Sequence, residues 1–275
     1  MAMEPVRTRA LAAVGALIGV VALAYLALNA GSRTPPAPAP RAAPLAADAG
    51  SEAKADTDAA ANADAAGGPA IKPAERSLPG TWVDVAAPAG TASAPVILGL
   101  HGRGDTAEHF SALASRLGGG FSWRFLQAPL PFADGRAWYR SDQPDGGRAD
   151  LEAALAYIDA HVRAAAQPVA LFGFSQGCFV AGHYAARHPE AVRAVVCIGG
   201  GLIYPPEPVA AQRRPPMLYL HATDDAVVPL EAARGAVKQL QSLGYSVELV
   251  EHGEGHSVPE SEIERIRSWL ERKLK

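Results

Sequence analysis

The sequence has few of the residues that identify several large classes of protein. It contains only two cysteines, Cys178 and Cys197, and they do not form a Cys-x-x-Cys pair. The histidines are scattered without the regular spacing of metal ligands, so we expect neither a metal nor another cofactor. Basic residues (25) do not outnumber acidic residues (28), and no basic stripe occurs, so nucleic-acid binding is not expected.

One long apolar run is present, near the amino terminus. Ala10 to Ala30 carry no charge and follow Arg7 and Arg9. The run is about long enough to cross a bilayer, whereas the apolar core of a cleaved signal peptide usually has about 7–15 residues. We therefore favour a signal anchor at residues 1–30 over a cleaved signal peptide. The positive flank predicts a bacterial-type inner-membrane protein with the remaining chain in the periplasm, or a secreted protein if the segment is cleaved.

The next segment, residues 31–77, is rich in proline and alanine, then in alanine and aspartate, and it has no aromatic residue. Such a composition cannot bury enough apolar surface to offset the entropy lost on ordering the chain. We predict a disordered linker at residues 31–77 and one folded domain at residues 78–275.

Strand-like and helix-like segments alternate through that domain. This alternation predicts an α/β fold, with a mostly parallel central sheet and helices on both faces. Two long loops, at 129–147 and 200–216, are expected to form the walls of a pocket, and there is little room for a lid. The predicted strands are 81–86, 96–100, 123–126, 168–172, 194–198, 217–221 and 246–251, and the predicted helices are 106–116, 148–166, 178–188, 230–243 and 259–274.

A Gly-x-Ser-x-Gly motif lies near the middle of the domain. The apolar run Pro168–Phe172 leads into Gly173-Phe174-Ser175-Gln176-Gly177, and the helix-like run Cys178–His188 follows. In such a strand–turn–helix unit the serine projects from a sharp turn at the carboxyl end of the strand. The pattern indicates an activated serine that attacks an acyl carbonyl.

An acid and a base for this serine follow it in the chain. Asp224 and Asp225 come directly after one strand, and His252 and His256 come after the next. The order serine, acid, histidine is the order of hydrolases that use this turn, and parallel strands end at one edge of the sheet. We prefer His256 as the base because it lies on a glycine-rich loop before the last helix, whereas either aspartate fits the acid.

A glycine-rich loop, His101-Gly102-Arg103-Gly104, supplies a candidate oxyanion hole. It directly follows the apolar strand 96–100. A developing oxyanion needs two backbone donors aimed at one point. The candidates are the amide of Arg103 and the amide of Gln176, which follows Ser175 at the start of a helix.

Together these motifs resemble the phospholipase/carboxylesterase (acyl-protein thioesterase-like) family of the α/β-hydrolase superfamily. The resemblance implies an α/β-hydrolase fold with Ser175 as nucleophile, Asp225 as acid and His256 as base. It also implies that Trp138 lines the substrate pocket, although a loop residue that covers the core is the alternative. The matching segments are Leu100–Asp105, Ala137–Tyr139, Gly173–Gly177, Asp225–Pro229 and Gly255–His256.

Cys178 departs from the family pattern, in which a small residue is usual. It lies one helical turn beyond Ser175, and we expect a buried free thiol. A disulfide with Cys197 is the alternative, since the two elements should be neighbours.

The expected function is hydrolysis of carboxylic esters, with thioesters as an extension, by a carboxylesterase- or lysophospholipase-like enzyme. Two alternatives stay open: a membrane-tethered binding protein that does not catalyse, and a serine peptidase on the same fold. The substrate is expected to be a small-molecule ester, and the sequence does not predict an oligomeric state.

Overall fold

The computed structural model describes residues 79–91, 94–143 and 145–275. The predicted anchor at 1–30 and the predicted linker at 31–77 lie outside the described residues, as does the domain boundary at residue 78. Within the described ranges, no helix is long and apolar enough to cross a membrane. Membrane anchoring and a periplasmic location therefore stay predictions.

The described residues form a central sheet and a separate hairpin. The strands in chain order are β1 (Trp82–Val85), β2 (Val96–Leu100), β3 (Ser122–Leu126), β4 (Leu130–Phe132), β5 (Gly135–Ala137), β6 (Val169–Phe174), β7 (Ala194–Ile198), β8 (Met217–Ala222) and β9 (Val247–His252). Seven of these described strands build the sheet in the order β1-β3-β2-β6-β7-β8-β9. Strand β1 is antiparallel to β3, and the other pairs in the sheet are parallel.

Helices cover both faces of this sheet. They are α1 (Ala107–Phe110), α2 (Leu113–Leu117), α3 (Arg148–Ala164), α4 (Gln176–Arg187), α5 (Leu230–Ser242) and α6 (Ile263–Lys273), the last preceded by a 3-10 turn at Glu260–Glu262. Because side chains alternate across a strand, Leu171 and Tyr219 pack with α3, α4 and α5, whereas Phe172 and Leu220 pack with α1, α2 and α6. The predicted α/β architecture is confirmed.

Two local predictions differ from the structure. The predicted helix at 106–116 is divided into α1 and α2, and Ser111 between them donates its Oγ hydrogen bond to the carbonyl of Glu108. Such local side-chain bonds compete with helix continuation. The predicted loop at 129–147 contains the antiparallel hairpin of β4 and β5.

The two cysteines form a disulfide, so the expectation of a free thiol at Cys178 is wrong. Their Cα atoms are 4.7 Å apart, and both residues are fully buried. The reason is topological: α4 begins where β6 ends, and β7 is the neighbour of β6 in the sheet. The first turn of α4 therefore lies over Cys197 of β7, and the bond attaches the serine-bearing turn to the sheet.

Removing this bond should lower the stability of the domain. The cysteines are 19 residues apart in the chain, and closing a loop of that length removes conformational entropy from the unfolded state. The double variant Cys178→Ala/Cys197→Ala should lose about 3 kcal/mol of unfolding free energy, measured by denaturant titration. The wild-type protein titrated in the presence of dithiothreitol is the control and should approach the variant. Equal stability of the oxidised wild type and the variant would contradict the bond.

Candidate active site

The turn between β6 and α4 holds Ser175 in a rare backbone conformation. Ser175 has φ 52° and ψ −118°, in the region that L-residues seldom adopt. The turn is tight: a Cβ at Gly173 would collide with the carbonyl of Gly177, and a Cβ at Gly177 with the carbonyl of Leu100. The amide of Ser175 donates to the carbonyl of Ile198 at 2.8 Å. The turn therefore presents the Ser175 hydroxyl at the carboxyl edge of the sheet.

Three predicted side chains meet at this edge. The hydroxyl of Ser175 donates to Nε2 of His256 at 2.8 Å. The Nδ1–H group of His256 donates to Oδ2 of Asp225 at 2.7 Å. This order of contacts fixes the neutral tautomer in which Nε2 can accept a proton. A hydroxyl, an imidazole and a carboxylate joined in this way have the geometry of an activated serine.

Hydrogen bonds hold the carboxylate of Asp225 in its charged form. Its Oδ1 accepts from the amides of Val227 and Val228, each at 2.8 Å, and 0% of the side chain is exposed. Burial acts to raise the pKa of this carboxyl. The bonds from His256, Val228 and Val227 outweigh burial and hold the pKa below its usual value.

Asp224 and His252, the alternative acid and base, do not contact Ser175 and instead support a turn. Oδ1 of Asp224 accepts from the amide of Gly255 at 3.0 Å, and Nδ1 of His252 accepts from the amide of Glu254 at 3.2 Å. Both bonds shape the loop that carries His256. The structure thus brings Asp225 and His256, rather than these neighbours, to Ser175.

His221, at the end of β8, is a neighbour of Asp225 that the sequence motifs do not identify. Its Nε2–H donates to the carbonyl of Val228 at 2.8 Å and lies 3.5 Å from Oδ2 of Asp225. The side chain is fully buried. It supports the turn that orients Asp225. The sequence feature that could have identified His221 is its position, four residues before Asp225 at the end of a buried strand.

The glycine-rich loop after β2 lies against the serine. A Cβ at Gly102 would lie 3.3 Å from Cβ of Ser175. Among the described residues, no backbone group accepts from the amide of Arg103 or of Gln176. Both predicted donors therefore remain open for a ligand at this point.

His101 supports this loop from below. It is fully buried, its Nε2 accepts from the amide of Ala128 at 3.1 Å, and its Nδ1–H donates to the carbonyl of Gly102 at 2.7 Å. Burial lowers its pKa, so the ring stays neutral with this tautomer. The neutral ring ties the loop to the end of β3.

Trp138 does not line the site, contrary to the first of its two expected roles. It is 0% exposed, and its Nε1–H donates to the carbonyl of His101 at 2.8 Å. Its amide donates to Oε1 of Gln176 at 2.7 Å, and Nε2 of Gln176 donates to the carbonyl of Tyr139 at 2.7 Å. The hydrogen bond from Nε1 to the buried carbonyl of His101 holds the indole beneath the glycine-rich loop.

Two exposed apolar side chains stand beside the site. Phe132, on the β4–β5 hairpin, is 37% exposed and packs toward Gly104, and Val227, beside Asp225, is 39% exposed. The guanidinium carbon of Arg103 lies 4.9 Å from the centre of the Phe132 ring. Phe132 and Val227 therefore present exposed apolar surface on the two loops that carry Arg103's ring contact and Asp225.

Comparison with known proteins agrees with this geometry. Residues 92–266 match the model of a family described as serine hydrolase (FSH1), which is more than half of the chain. The chain belongs to the FSH1 serine hydrolase family. The hydrolase has an α/β-hydrolase fold and is an enzyme of the carboxylesterase type.

Similar proteins include esterases from several sources. The Arabidopsis thaliana carboxylesterase SOBER1 is 27% identical over 208 residues, which cover 65% of this chain and 90% of that protein. A protein of Oryza sativa subsp. japonica named a probable inactive carboxylesterase is 27% identical over 207 residues, 65% of this chain and 84% of that protein. Among solved structures, that of esterase PE8 has 25% sequence identity to this chain and a TM-score of 0.61. The alignment covers 70% of this chain and 98% of the PE8 chain.

Proposed function

We propose that this hydrolase cleaves carboxylic esters through an acyl-enzyme formed on Ser175. The observation that carries the proposal is the continuous pair of hydrogen bonds from Ser175 to His256 and from His256 to Asp225, at 2.8 and 2.7 Å. The open amides of Arg103 and Gln176 support it, because they lie beside the serine where an oxyanion would form.

In the first half of the reaction, Ser175 Oγ attacks the ester carbonyl while Nε2 of His256 takes the hydroxyl proton. Asp225 holds the imidazole orientation and stabilises the imidazolium. The tetrahedral oxyanion accepts hydrogen bonds from the two amides. When the intermediate collapses, the carbon–oxygen bond to the alcohol breaks, and His256 gives its proton to the leaving oxygen.

In the second half, His256 takes a proton from water as the water oxygen attacks the acyl-enzyme. Collapse returns the proton to Ser175 Oγ and releases the carboxylic acid. The same steps apply to a thioester, with sulfur as the leaving atom, and we include thioesters in the proposal.

A membrane-anchored position, with the catalytic domain in the periplasm, is also part of the proposal. Arg7, Arg9 and the apolar run after them support it, as does a disulfide in the core, since disulfides persist in oxidising compartments. Fractionation of cells that make the full chain would test it, because a purely soluble cytosolic protein would contradict it.

Labelling with a fluorophosphonate tests the proposed nucleophile. The folded protein should take up one phosphonyl group on Ser175, identified by mass spectrometry of the peptide, and should lose hydrolysis of 4-nitrophenyl butyrate in parallel. Protein unfolded before exposure is the control and should not be labelled, because reactivity depends on His256. Folded protein that remains unlabelled would contradict the proposal and favour a binding protein without catalysis.

A further inference from the structure

Arg103 lies on the loop beside Ser175, and its charge has no ion-pair partner among the described residues. Arg103 is half-buried, and among the described residues no carboxylate forms an ion pair with it. Asp105, two residues away, is engaged elsewhere: its Oδ1 accepts from the amide of Thr106 at 2.8 Å and contacts Nδ1 of His109 at 2.7 Å. The guanidinium therefore keeps its capacity to bind an anion.

The contact with Phe132 leaves the hydrogen-bond donors of Arg103 available. The guanidinium carbon lies over the ring, 4.9 Å from its centre, and no described residue accepts a hydrogen bond from the guanidinium. The N–H groups lie in the guanidinium plane and point away from its centre, where they can grip a carboxylate or a phosphate with two parallel bonds. The contact with the ring also restricts the Arg103 side chain, which lowers the conformational entropy that the side chain loses when it binds an anion.

The location of Arg103 sets which anions it can reach. Its own amide lies beside Ser175, next to Gly102, and its side chain runs outward to the hairpin residue Phe132. If the carbonyl oxygen of a substrate binds at that amide, a group a few bonds from the ester lies within reach of the guanidinium. The exposed ring of Phe132 would cover the apolar atoms between the two.

We propose that Arg103 selects esters that carry an oxyanionic group, a carboxylate or a phosphate, a few bonds from the scissile carbonyl. This inference rests on the proposed ester hydrolysis and adds the substrate class. Arg103 contributes its backbone amide to the oxyanion and its side chain to recognition. A neutral ester would gain only the first of these contacts.

Two matched pairs of esters test the inference with the purified full chain. Monomethyl glutarate against methyl pentanoate places a carboxylate on the acyl side, and 2-acetoxyethyl phosphate against 2-methoxyethyl acetate places a phosphate on the alcohol side. Proton release at low ionic strength gives kcat/KM for each ester. In at least one pair the anionic ester should be preferred by roughly tenfold, the size expected for a charge-assisted bond at a partly exposed site.

Variants then assign the preference to the side chain. Arg103→Met should abolish the anionic-to-neutral ratio of kcat/KM, and Arg103→Lys should keep part of it. The ratio is used because it is independent of any change in overall rate. Arg148→Met is the matched control: Arg148 also stacks on an aromatic ring, that of Tyr204 at 4.2 Å, and its loss should leave the ratio within about twofold, as for other exposed charges.

The outcomes separate the two proposals. Equal kcat/KM for the anionic and neutral members of both pairs would overturn the role of Arg103 and leave ester hydrolysis standing. An anionic preference that survives Arg103→Met, or that Arg148→Met removes equally, would also overturn that role. Absence of turnover with all four esters, while 4-nitrophenyl butyrate is hydrolysed, would overturn the inference alone. Absence of turnover with 4-nitrophenyl butyrate as well would overturn the proposed function and the inference with it.

Discussion

Replacing Ser175 with alanine should lower kcat for ester hydrolysis by roughly 10⁵- to 10⁶-fold. The variant has no oxygen to form the acyl-enzyme, and His256 is left with no hydroxyl to activate. The proposed oxyanion donors, the amides of Arg103 and Gln176, are unchanged in the variant, so a small residual rate over that in water is expected. Initial rates with short 4-nitrophenyl esters, on protein shown to be folded by circular dichroism, measure the loss.

The control is Ser115→Ala, an exposed serine of α2 whose Oγ donates to the carbonyl of Ala112. This variant should retain wild-type rates, because Ser115 lies on a helix that carries no residue of the site. Turnover near the wild-type rate in Ser175→Ala would show that another residue is the nucleophile.

Replacing Asp225 with asparagine should lower kcat by about 10⁴-fold while KM changes little. Both Val227 and Val228 donate their amides to Oδ1 at 2.8 Å, so the amide oxygen of the new asparagine side chain would take that place. Its NH₂ group would then donate to His256, and Nδ1 of His256 could accept that bond only if Nδ1 carried no proton. The proton would move to Nε2, and that atom could no longer accept from Ser175.

Asp224→Asn is the matched control for this substitution. Its Oδ1 accepts only from the amide of Gly255 among the described residues, and an asparagine oxygen can accept the same bond. The rate should fall by no more than about threefold, as for a surface hydrogen bond. A larger loss in Asp224→Asn than in Asp225→Asn would reverse the assignment of the acid.

The sequence predicted the elements of the site that are encoded locally. The Gly-x-Ser-x-Gly turn forms within a single strand–helix unit, and Asp225 and His256 each follow the end of a strand. In a parallel sheet those ends share one edge, so the order of the motifs was enough to place them together. The same reasoning predicted the ends of the central strands to within about one or two residues, which is the usual uncertainty of such boundaries.

For features that depend on three-dimensional packing, the sequence offered alternatives without deciding between them, or offered no signal. The choice between a free thiol and the disulfide depends on the Cα–Cα distance between Cys178 and Cys197, which is 4.7 Å. The burial of Trp138 depends on a hydrogen bond to the carbonyl of His101, which is far away in the chain. The β4–β5 hairpin was not predicted because its strands have three residues each, one of them Pro131, and its turn uses Ala133 at φ 49°. Such short strands carry no periodic signal.

The close approach of Gly177 to the carbonyl of Leu100 has a consequence for engineering. The start of α4 and the end of β2 meet backbone to backbone, with no room for a side chain between them. Any substitution at Gly177 would push these two segments apart, so a library should leave Gly177 unchanged. A library confined to Arg103, Phe132 and Val227 should redirect which esters enter while the chemical step keeps its geometry.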